Sequence, residues 1–247
     1  MTPALELLGV SKRFSRPAAF GERVASWLGA ATVSRTVRAV TDVSLSLAPR
    51  EVLGLVGESG CGKSTLGRIA AGVFPPSEGA VRLAGRAVME RGLKRTPAVQ
   101  MIHQDPVASL DPRMRVAETV AEGAVLHGLV ARRGADGYVA AMLERVGLDP
   151  ALRTRYPHQF SGGQRQRVAI ARALAMKPEV LVLDEPVASL DVSIQAQVLN
   201  LFLDLRQDLG LAGLFISHDL GVVRHVADRV AIMYLGRVVE LASTAVL

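Results

Sequence analysis

The stretch Gly57-Glu58-Ser59-Gly60-Cys61-Gly62-Lys63-Ser64-Thr65 is the part of the sequence that decides the fold. It fits the pattern G-x-x-x-x-G-K-[ST], in which the bare backbone amides of a glycine-rich loop cradle phosphate groups. The apolar run at residues 52–56 is typical of a buried strand, and residues 66–71 favour a helix. Because this order directs a helix N-terminus at an anion, we interpret the stretch as a phosphate-binding loop. The alternative is a glycine-rich turn with an incidental lysine.

A second stretch, Val180-Leu181-Val182-Leu183-Asp184-Glu185, adds two carboxylates. Four apolar β-forming residues indicate a buried parallel strand, and Asp184 follows at the carboxyl end, where open α/β sheets bind ligands. An aspartate there can hold Mg²⁺ together with the hydroxyl of Ser64, and Glu185 is placed to activate a water. The alternative is that both carboxylates cap the helix that follows Pro186.

Length and composition are those of an ordered globular protein with one large domain: 247 residues, 49% apolar and 21% charged. The net charge of +6 suits an acidic partner such as a nucleotide, an anionic membrane surface or nucleic acid, but no block of five basic residues occurs. Cys61 is the only cysteine, which excludes an internal disulfide and a thiolate metal cluster. No apolar run approaches the ~20 residues that span a bilayer, and the N-terminus lacks the features of a signal peptide. We therefore expect a cytoplasmic protein.

The rest of the chain alternates strands and helices, as in a parallel sheet that is covered on both faces. Strands are predicted at residues 5–10, 40–47, 52–56, 80–83, 99–103, 180–184, 212–217 and 229–234. Residues 116–147 have helical periodicity with no strand, which predicts an all-helical insertion. Within residues 16–38, Phe20, Val24, Trp27 and Leu28 have the spacing of a short amphipathic helix that folds back on the sheet or contacts a membrane or a partner.

Five motifs in this order resemble the ATPase subunit of ABC transporters over residues 5–240, nearly the whole chain. The most specific is Phe160-Ser161-Gly162-Gly163-Gln164, which matches the LSGGQ signature of that family. Ser161 is a good N-cap, and the two glycines let the backbone approach an anion at a helix N-terminus. Within that family the sequence most resembles the oligopeptide/dipeptide/nickel importer subfamily, through phrases such as Gln104-Asp105-Pro106, Asp191-Val192-Ser193-Ile194-Gln195-Ala196-Gln197 and Met233-Tyr234-Leu235-Gly236.

The resemblance implies an α/β fold built on a P-loop NTPase core, with a mostly parallel sheet and helices on both faces. It further implies an antiparallel β-subdomain and an inserted all-helical subdomain. Residues 1–247 would form a single ABC nucleotide-binding domain, with the helical subdomain at about residues 105–165 inserted in the ATP-binding core.

The resemblance also implies a site for ATP and Mg²⁺. Glu185 would be the general base, with Lys63, Gln104 and His218 as the other catalytic residues. Mg²⁺ would be held by Ser64, Gln104 and Asp184. The residues assigned to nucleotide binding are Gly57, Glu58, Ser59, Gly60, Cys61, Gly62, Lys63, Ser64, Thr65, Phe14, Ser161, Gly162, Gly163, Gln164 and Asp191.

Within that set Phe14 would stack on the adenine, although a phenylalanine in this pattern also suits the core. His218 taken alone would be a core histidine, so its role depends on the resemblance. Ser161 to Gln164 and Asp191 would act across a head-to-tail dimer, on the ATP bound by the opposite subunit.

The function implied is that of the ATP-hydrolysing subunit of a membrane ABC importer for peptides or a related small solute, such as nickel or an opine-like compound. Its partners would be transmembrane permease subunits, a second ATPase subunit that is identical or different, and indirectly an extracytoplasmic solute-binding protein. The protein would lie peripherally on the cytoplasmic face of the cell membrane, and no nucleic-acid partner is expected. The alternative is a soluble ABC ATPase in DNA repair or translation, without a membrane partner.

Overall fold

The computed structural model describes residues 2–15 and 36–246. The amphipathic helix predicted around Phe20, Val24, Trp27 and Leu28 lies outside the described residues. In chain order the strands are β1 (Leu5–Ser15), β2 (Thr36–Leu47), β3 (Val52–Gly57), β4 (Glu78–Leu83), β5 (Arg86–Ala87), β6 (Met89–Glu90), β7 (Leu93–Lys94), β8 (Val99–Ile102), β9 (Val180–Asp184), β10 (Ala212–Ile216), β11 (Arg229–Tyr234) and β12 (Arg237–Ser243).

The α-helices of the described residues fall mainly in the second half of the chain. They are α1 (Lys63–Ala70), α2 (Pro106–Ser109), α3 (Val116–Leu126), α4 (Ala135–Arg145), α5 (Gly162–Leu174), α6 (Val192–Leu209) and α7 (Leu220–Val226). Short 3-10 segments lie at Arg132–Gly134, Pro150–Thr154, Pro157–Gln159 and Thr244–Val246. Helices and 3-10 turns thus occupy the chain between β8 and β9, where the helical insertion was predicted.

The two main sheets of the described residues organise the fold, and β6 and β7 form a separate two-stranded sheet. The larger sheet has the order β12-β11-β3-β10-β9-β8, and its strands run parallel except for the antiparallel edge strand β12. The smaller sheet is antiparallel, with the order β2-β1-β4-β5. This arrangement confirms the predicted α/β fold with a mostly parallel core sheet and an antiparallel second sheet.

Strand β9 shows why the larger sheet is buried on both faces. All five of its residues are buried, and successive side chains point to opposite faces. Val180 and Val182 pack in the cluster that contains α1 and the antiparallel sheet, whereas Leu181 and Leu183 pack in the cluster that contains α5, α6 and α7. Continuous apolar strands of this kind are therefore recognisable from sequence alone.

The differences from the sequence-based expectation have local causes. The helical region at residues 116–147 is divided, because Gly128 adopts a left-handed φ of 69° and the amide of Leu129 closes on the carbonyl of Ala124 at 2.8 Å. Strand β2 begins at Thr36, four residues before the predicted start at residue 40. Strand β12 was not predicted, because it is an exposed edge strand without apolar alternation.

Gly54 of β3 packs directly against α7 and the residue that follows it. A Cβ atom added at Gly54 would lie 2.2 Å from Cγ1 of Val223 and 3.2 Å from Cβ of Ala227. We therefore expect Gly54→Ala to lower the free energy of unfolding by about 1–3 kcal/mol, the usual cost of overpacking a core. Urea unfolding followed by circular dichroism measures this difference.

Gly137 provides the matched control, since it lies on the exposed side of α4 and an added Cβ atom meets nothing within 4 Å. Gly137→Ala should stabilise the protein by roughly 0.5–1 kcal/mol, because alanine loses less backbone entropy in a helix. Equal unfolding free energies for Gly54→Ala and the unmodified chain would contradict the packing argument.

Candidate active site

The parallel register brings separate segments of the chain to one edge of the larger sheet. Strand β10 lies between β3 and β9, with Ile216 opposite both Leu55 and Asp184. The phosphate loop follows β3, the carboxylates follow β9, and His218 follows β10. Strand β8, on the other side of β9, leads to Gln104. Four strand ends thus deliver the predicted residues to the same place, as expected for the carboxyl edge of an α/β sheet.

The glycine-rich loop and the following helix form one wall of a cavity of about 380 Å³. Residues 59–65 line this cavity together with Gln104 and Glu185. Nζ of Lys63 donates hydrogen bonds to the carbonyl oxygens of Gly57 at 2.7 Å and of Glu58 at 2.8 Å. These bonds hold the ammonium group inside the curve of the loop, and Lys63 is only 5% exposed.

Ser64 and Asp184 bring two oxygen ligands together at the base of the cavity. Oγ of Ser64 donates to Oδ1 of Asp184 at 2.8 Å, although the two residues are 120 positions apart. Burial raises the pKa of the Asp184 carboxyl above its ordinary value, and the hydrogen bond from Ser64 partly offsets this effect. Asp184 is 2% exposed.

This pair suits Mg²⁺, which prefers oxygen ligands and is usually held by one or two protein groups together with water and phosphate oxygens. A cation beside Asp184 would also offset the cost of burying its carboxylate. Among the described residues there is no group of three or more His, Cys, Asp or Glu side chains that could hold a metal ion, so a site built entirely from such groups is not found in that part of the chain.

Glu185 lies at the centre of a second polar cluster. Its Oε2 atom accepts a hydrogen bond from Nε2 of Gln104 at 3.1 Å and lies 3.3 Å from Nδ1 of His218. Its backbone has a left-handed φ of 48°, and its amide donates to the carbonyl of Ile216 at 2.9 Å. Left-handed backbone is uncommon outside glycine, and here the hydrogen bond to β10 holds it. The Glu185 side chain is 15% exposed and that of His218 is 60% exposed.

The alternative role for Asp184 and Glu185, as caps of the next helix, is wrong. That helix, α6, begins at Val192, and Asp191 occupies its N-cap position. The two carboxylates instead face Ser64 in one case and Gln104 in the other.

The signature residues lie elsewhere in the same chain. Ser161 caps α5, its Oγ accepts a hydrogen bond from the amide of Gln164 at 3.3 Å, and the Gln164 side chain accepts one from the amide of Ser161 at 3.0 Å. Ser161 and Gly162 are exposed. None of residues 161–164, nor Asp191, lines the cavity at the phosphate loop. The fold thus presents a second helix N-terminus of the anion-binding type, outside this cavity.

Phe14 lies beside the cavity without lining it. It pairs with Val37 across β1 and β2, and Val37 does line the cavity. The Phe14 ring is 42% exposed and packs edge-on against Phe74, with ring centroids 6.2 Å apart. Nζ of Lys12 lies 5.4 Å from the Phe14 centroid and 5.5 Å from that of Phe74, within cation–π range. Phe14 therefore lies next to a residue of the cavity lining, and its ring packs against Phe74.

The sequence-based assignment missed five of the described residues that line the cavity. They are Val37, Arg38, Ala39, Leu235 and Gly236. They come from the start of β2 and from the turn between β11 and β12, and no motif assigned a role to either segment. Only the phrase Met233-Tyr234-Leu235-Gly236 carried a signal, since it was among those that indicated the subfamily.

None of the helices among the described residues has both the length and the apolar composition that crossing a bilayer requires.

The fold and the loop define a P-loop nucleotide-binding protein, and comparison with known proteins identifies its class. Residues 40–188 match the family model described as ABC transporter. The chain is 50% identical over 210 residues to the oligopeptide transport ATP-binding protein AppF of Bacillus subtilis, an alignment that covers 83% of this chain and 64% of AppF. It is 49% identical over 215 residues to the glutathione import ATP-binding protein GsiA of Pectobacterium atrosepticum, covering 85% of this chain and 34% of GsiA.

The fold is similar to that of cbiO1 from Clostridium perfringens, part of the ABC transporter complex cbiONQ. The TM-score is 0.77 at 25% identity, with 99% of this chain and 90% of cbiO1 covered. The chain therefore belongs to the ABC transporter family, and its sequence is similar to ATP-binding proteins named for oligopeptide transport and glutathione import. It spans about a third to two thirds of the length of the curated relatives named above.

Proposed function

We propose that this chain is the ATP-hydrolysing subunit of a membrane ABC importer for peptides or a related small solute. The observation that carries the proposal is the convergence of the phosphate loop, the Ser64–Asp184 pair and the Gln104–Glu185–His218 cluster on one edge of the sheet. A phosphate cradle beside a carboxylate that can accept a proton is the arrangement that nucleotide hydrolysis requires.

The loop and α1 would hold the phosphates of ATP. The amides of residues 60–65 and the positive end of α1 favour an anion, and Lys63 supplies a cation to the β- and γ-phosphates. Ser64, Asp184 and Gln104 would hold Mg²⁺, which when bound neutralises negative charge on the phosphate oxygens.

Glu185 is the proposed general base. Its carboxylate would accept a proton from the water that attacks the γ-phosphate, while Gln104 and His218 orient that carboxylate from two sides. The Glu185 carboxylate, with its side chain 15% exposed, lies where a water beside bound phosphate could reach it.

The exposed signature supports a dimer. The amides of Ser161 and Gln164 are used in the capping box, which leaves those of Gly162 and Gly163 at the N-terminus of α5 for an anion. These residues lie outside the cavity of their own chain. A second ATPase subunit, identical or different, would bring its signature and its Asp191 over the γ-phosphate, so that two ATP molecules are enclosed head to tail. Most of the catalysis would then come from positioning and charge stabilisation.

The cargo and the partners are proposed from the relatives. The two similar proteins are named for oligopeptide transport and glutathione import, which favours a peptide-like solute over nickel or an opine-like compound. We expect transmembrane permease subunits as direct partners, a solute-binding protein as an indirect one, and a peripheral position on the cytoplasmic face of the membrane. The same names disfavour a soluble ABC ATPase that acts in DNA repair or translation.

Affinity purification of the tagged chain from detergent-solubilised membranes tests the proposal. We expect two multi-spanning permease chains to co-elute, with or without a second ATPase, because the motor and the permease must form one complex. The Lys63→Ala chain is the control, since it should lose nucleotide binding but keep the surfaces that contact the permease. Elution of the chain alone, or with ribosomes or DNA, would contradict the transport function.

A further inference from the structure

Arg38 lies in the lining of the cavity formed by the phosphate loop. It belongs to the start of β2, and residues 37–39 line the cavity together with the loop. This strand approaches the loop closely: a Cβ atom added at Gly62, which has a φ of 110°, would lie 2.2 Å from the carbonyl oxygen of Ala39. The backbone on either side of Arg38 is therefore fixed against the site.

The Arg38 guanidinium has no bonding partner among the described residues. Over residues 2–15 and 36–246, the Arg38 side chain has no hydrogen bond and no ion pair, and it is exposed. Lys63 differs in this respect, because its ammonium group already donates to two carbonyls of the loop. Among the described residues, the charged side chains that line the cavity are those of Arg38, Lys63 and Glu185, which together carry a net charge of +1. Of the two cations, Arg38 therefore has more N–H donors available for the oxygens of a bound triphosphate.

The neighbouring Arg13 differs from Arg38 in both its ion pairing and its place relative to the cavity lining. The two arginines lie directly opposite each other in the register of β1 and β2. Yet the Arg13 guanidinium is paired with Oε1 of Glu78 at 2.8 Å, and Arg13 does not line the cavity. These two neighbouring arginines of one sheet thus have different environments: Arg13 is paired with a carboxylate, whereas Arg38 lines the cavity and has no carboxylate partner among the described residues.

We propose that Arg38 is a nucleotide-binding residue whose guanidinium contacts the α- and β-phosphates of bound ATP. This inference rests on the proposed ATP-binding function and adds a residue that no motif of the chain assigns. A guanidinium presents donors in a planar fork that fits phosphate oxygens, and such charge-assisted hydrogen bonds are stronger than neutral ones.

The position of Arg38 along the cavity assigns its guanidinium to the α- and β-phosphates, the part of the triphosphate nearer the adenine. Val37, which precedes Arg38, pairs with Phe14, the residue proposed to stack on adenine. Ala39, which follows it, packs against Gly62 at the start of α1. Gln104 and Glu185, where the γ-phosphate would react, belong to the ends of other strands. Arg38 therefore lies between the adenine side and the loop.

The test measures equilibrium binding of ATP and of ADP to the full chain and its variants by calorimetric titration. We expect Arg38→Met to weaken both nucleotides by about tenfold, the usual scale of one hydrogen-bonded charge, and Arg38→Lys to recover part of the loss. The KM for ATP should rise by a similar factor while kcat stays unchanged, because the contact exists before and during the reaction. Arg13→Met, the matched control, should bind both nucleotides normally.

Wild-type affinity in Arg38→Met would overturn the proposal, as would an equal loss in Arg13→Met, which would indicate a general effect of surface charge. A loss confined to ATP would place the guanidinium at the γ-phosphate and overturn the assignment to the α- and β-phosphates. The Lys63→Ala chain separates this failure from that of the proposed function: if it also binds ATP normally, the phosphate loop itself is not the nucleotide site.

Discussion

Replacing Glu185 with glutamine is expected to lower the rate of ATP hydrolysis by about 10²- to 10⁴-fold while ATP binding is retained. Glutamine has the same shape as glutamate, but its amide cannot accept a proton from water near neutral pH. The contacts at this position, with Gln104 at 3.1 Å and His218 at 3.3 Å, constrain the carboxylate to one orientation. The variant should therefore bind ATP, fail to turn it over and accumulate as an ATP-bound dimer.

Phosphate release at saturating ATP measures the rate, and size-exclusion chromatography with and without ATP measures the dimer. Glu179→Gln is the matched control, because Glu179 is exposed and lies just before β9, at the opposite end of the strand from Glu185. The control should hydrolyse ATP at the normal rate. An unchanged turnover rate in Glu185→Gln would rule out Glu185 as the base.

Replacing Lys63 with alanine is expected to weaken ATP binding by at least about 100-fold, since hydrogen bonds to charged groups contribute about 1.5–3 kcal/mol each. Two effects add. The phosphates lose a buried cation, and the carbonyls of Gly57 and Glu58 lose the donor that shapes the loop. Calorimetric titration with ATP measures the affinity, and circular dichroism checks that the variant is folded.

Lys94→Ala is the matched control for this variant. Nζ of Lys94 also donates to a backbone carbonyl, that of Val99 at 2.5 Å, but Lys94 lies outside the cavity at the phosphate loop. Its replacement should leave the affinity for ATP unchanged. If Lys63→Ala bound ATP as tightly as Lys94→Ala, the loop would not be the phosphate site.

The fold was predictable where burial is continuous. All residues of β9 and β10 are buried, and these strands occur at residues 180–184 and 212–216, where the sequence predicted 180–184 and 212–217. A largely apolar run bounded by turns has few other ways to bury itself. Strand β12 gave no such signal. Most of its residues are exposed, and pairing with β11 defines it instead. The two-residue strands β5, β6 and β7 are likewise too short for any periodicity.

The candidate site was predictable where its chemistry is local. The phosphate loop and the Ser161 cap each work through residues a few positions apart, so their spacing is visible in the chain. Arg38 carries no such signal. It is one of 29 basic residues, and only its place in the cavity lining and its contrast with Arg13, which is paired with Glu78, distinguish it.

The sequence by itself determined the nucleotide class of this protein, the phosphate loop and the identity of the residues that could do chemistry, because those properties belong to contiguous residues. The tertiary structure decided which of them meet. Gln104 and Glu185 are 81 positions apart, and Ser64 and Asp184 are 120 apart, yet each pair is hydrogen-bonded. The reason is the order of strands β3, β10, β9 and β8, which depends on burying both faces of one sheet and places four strand ends at a single edge.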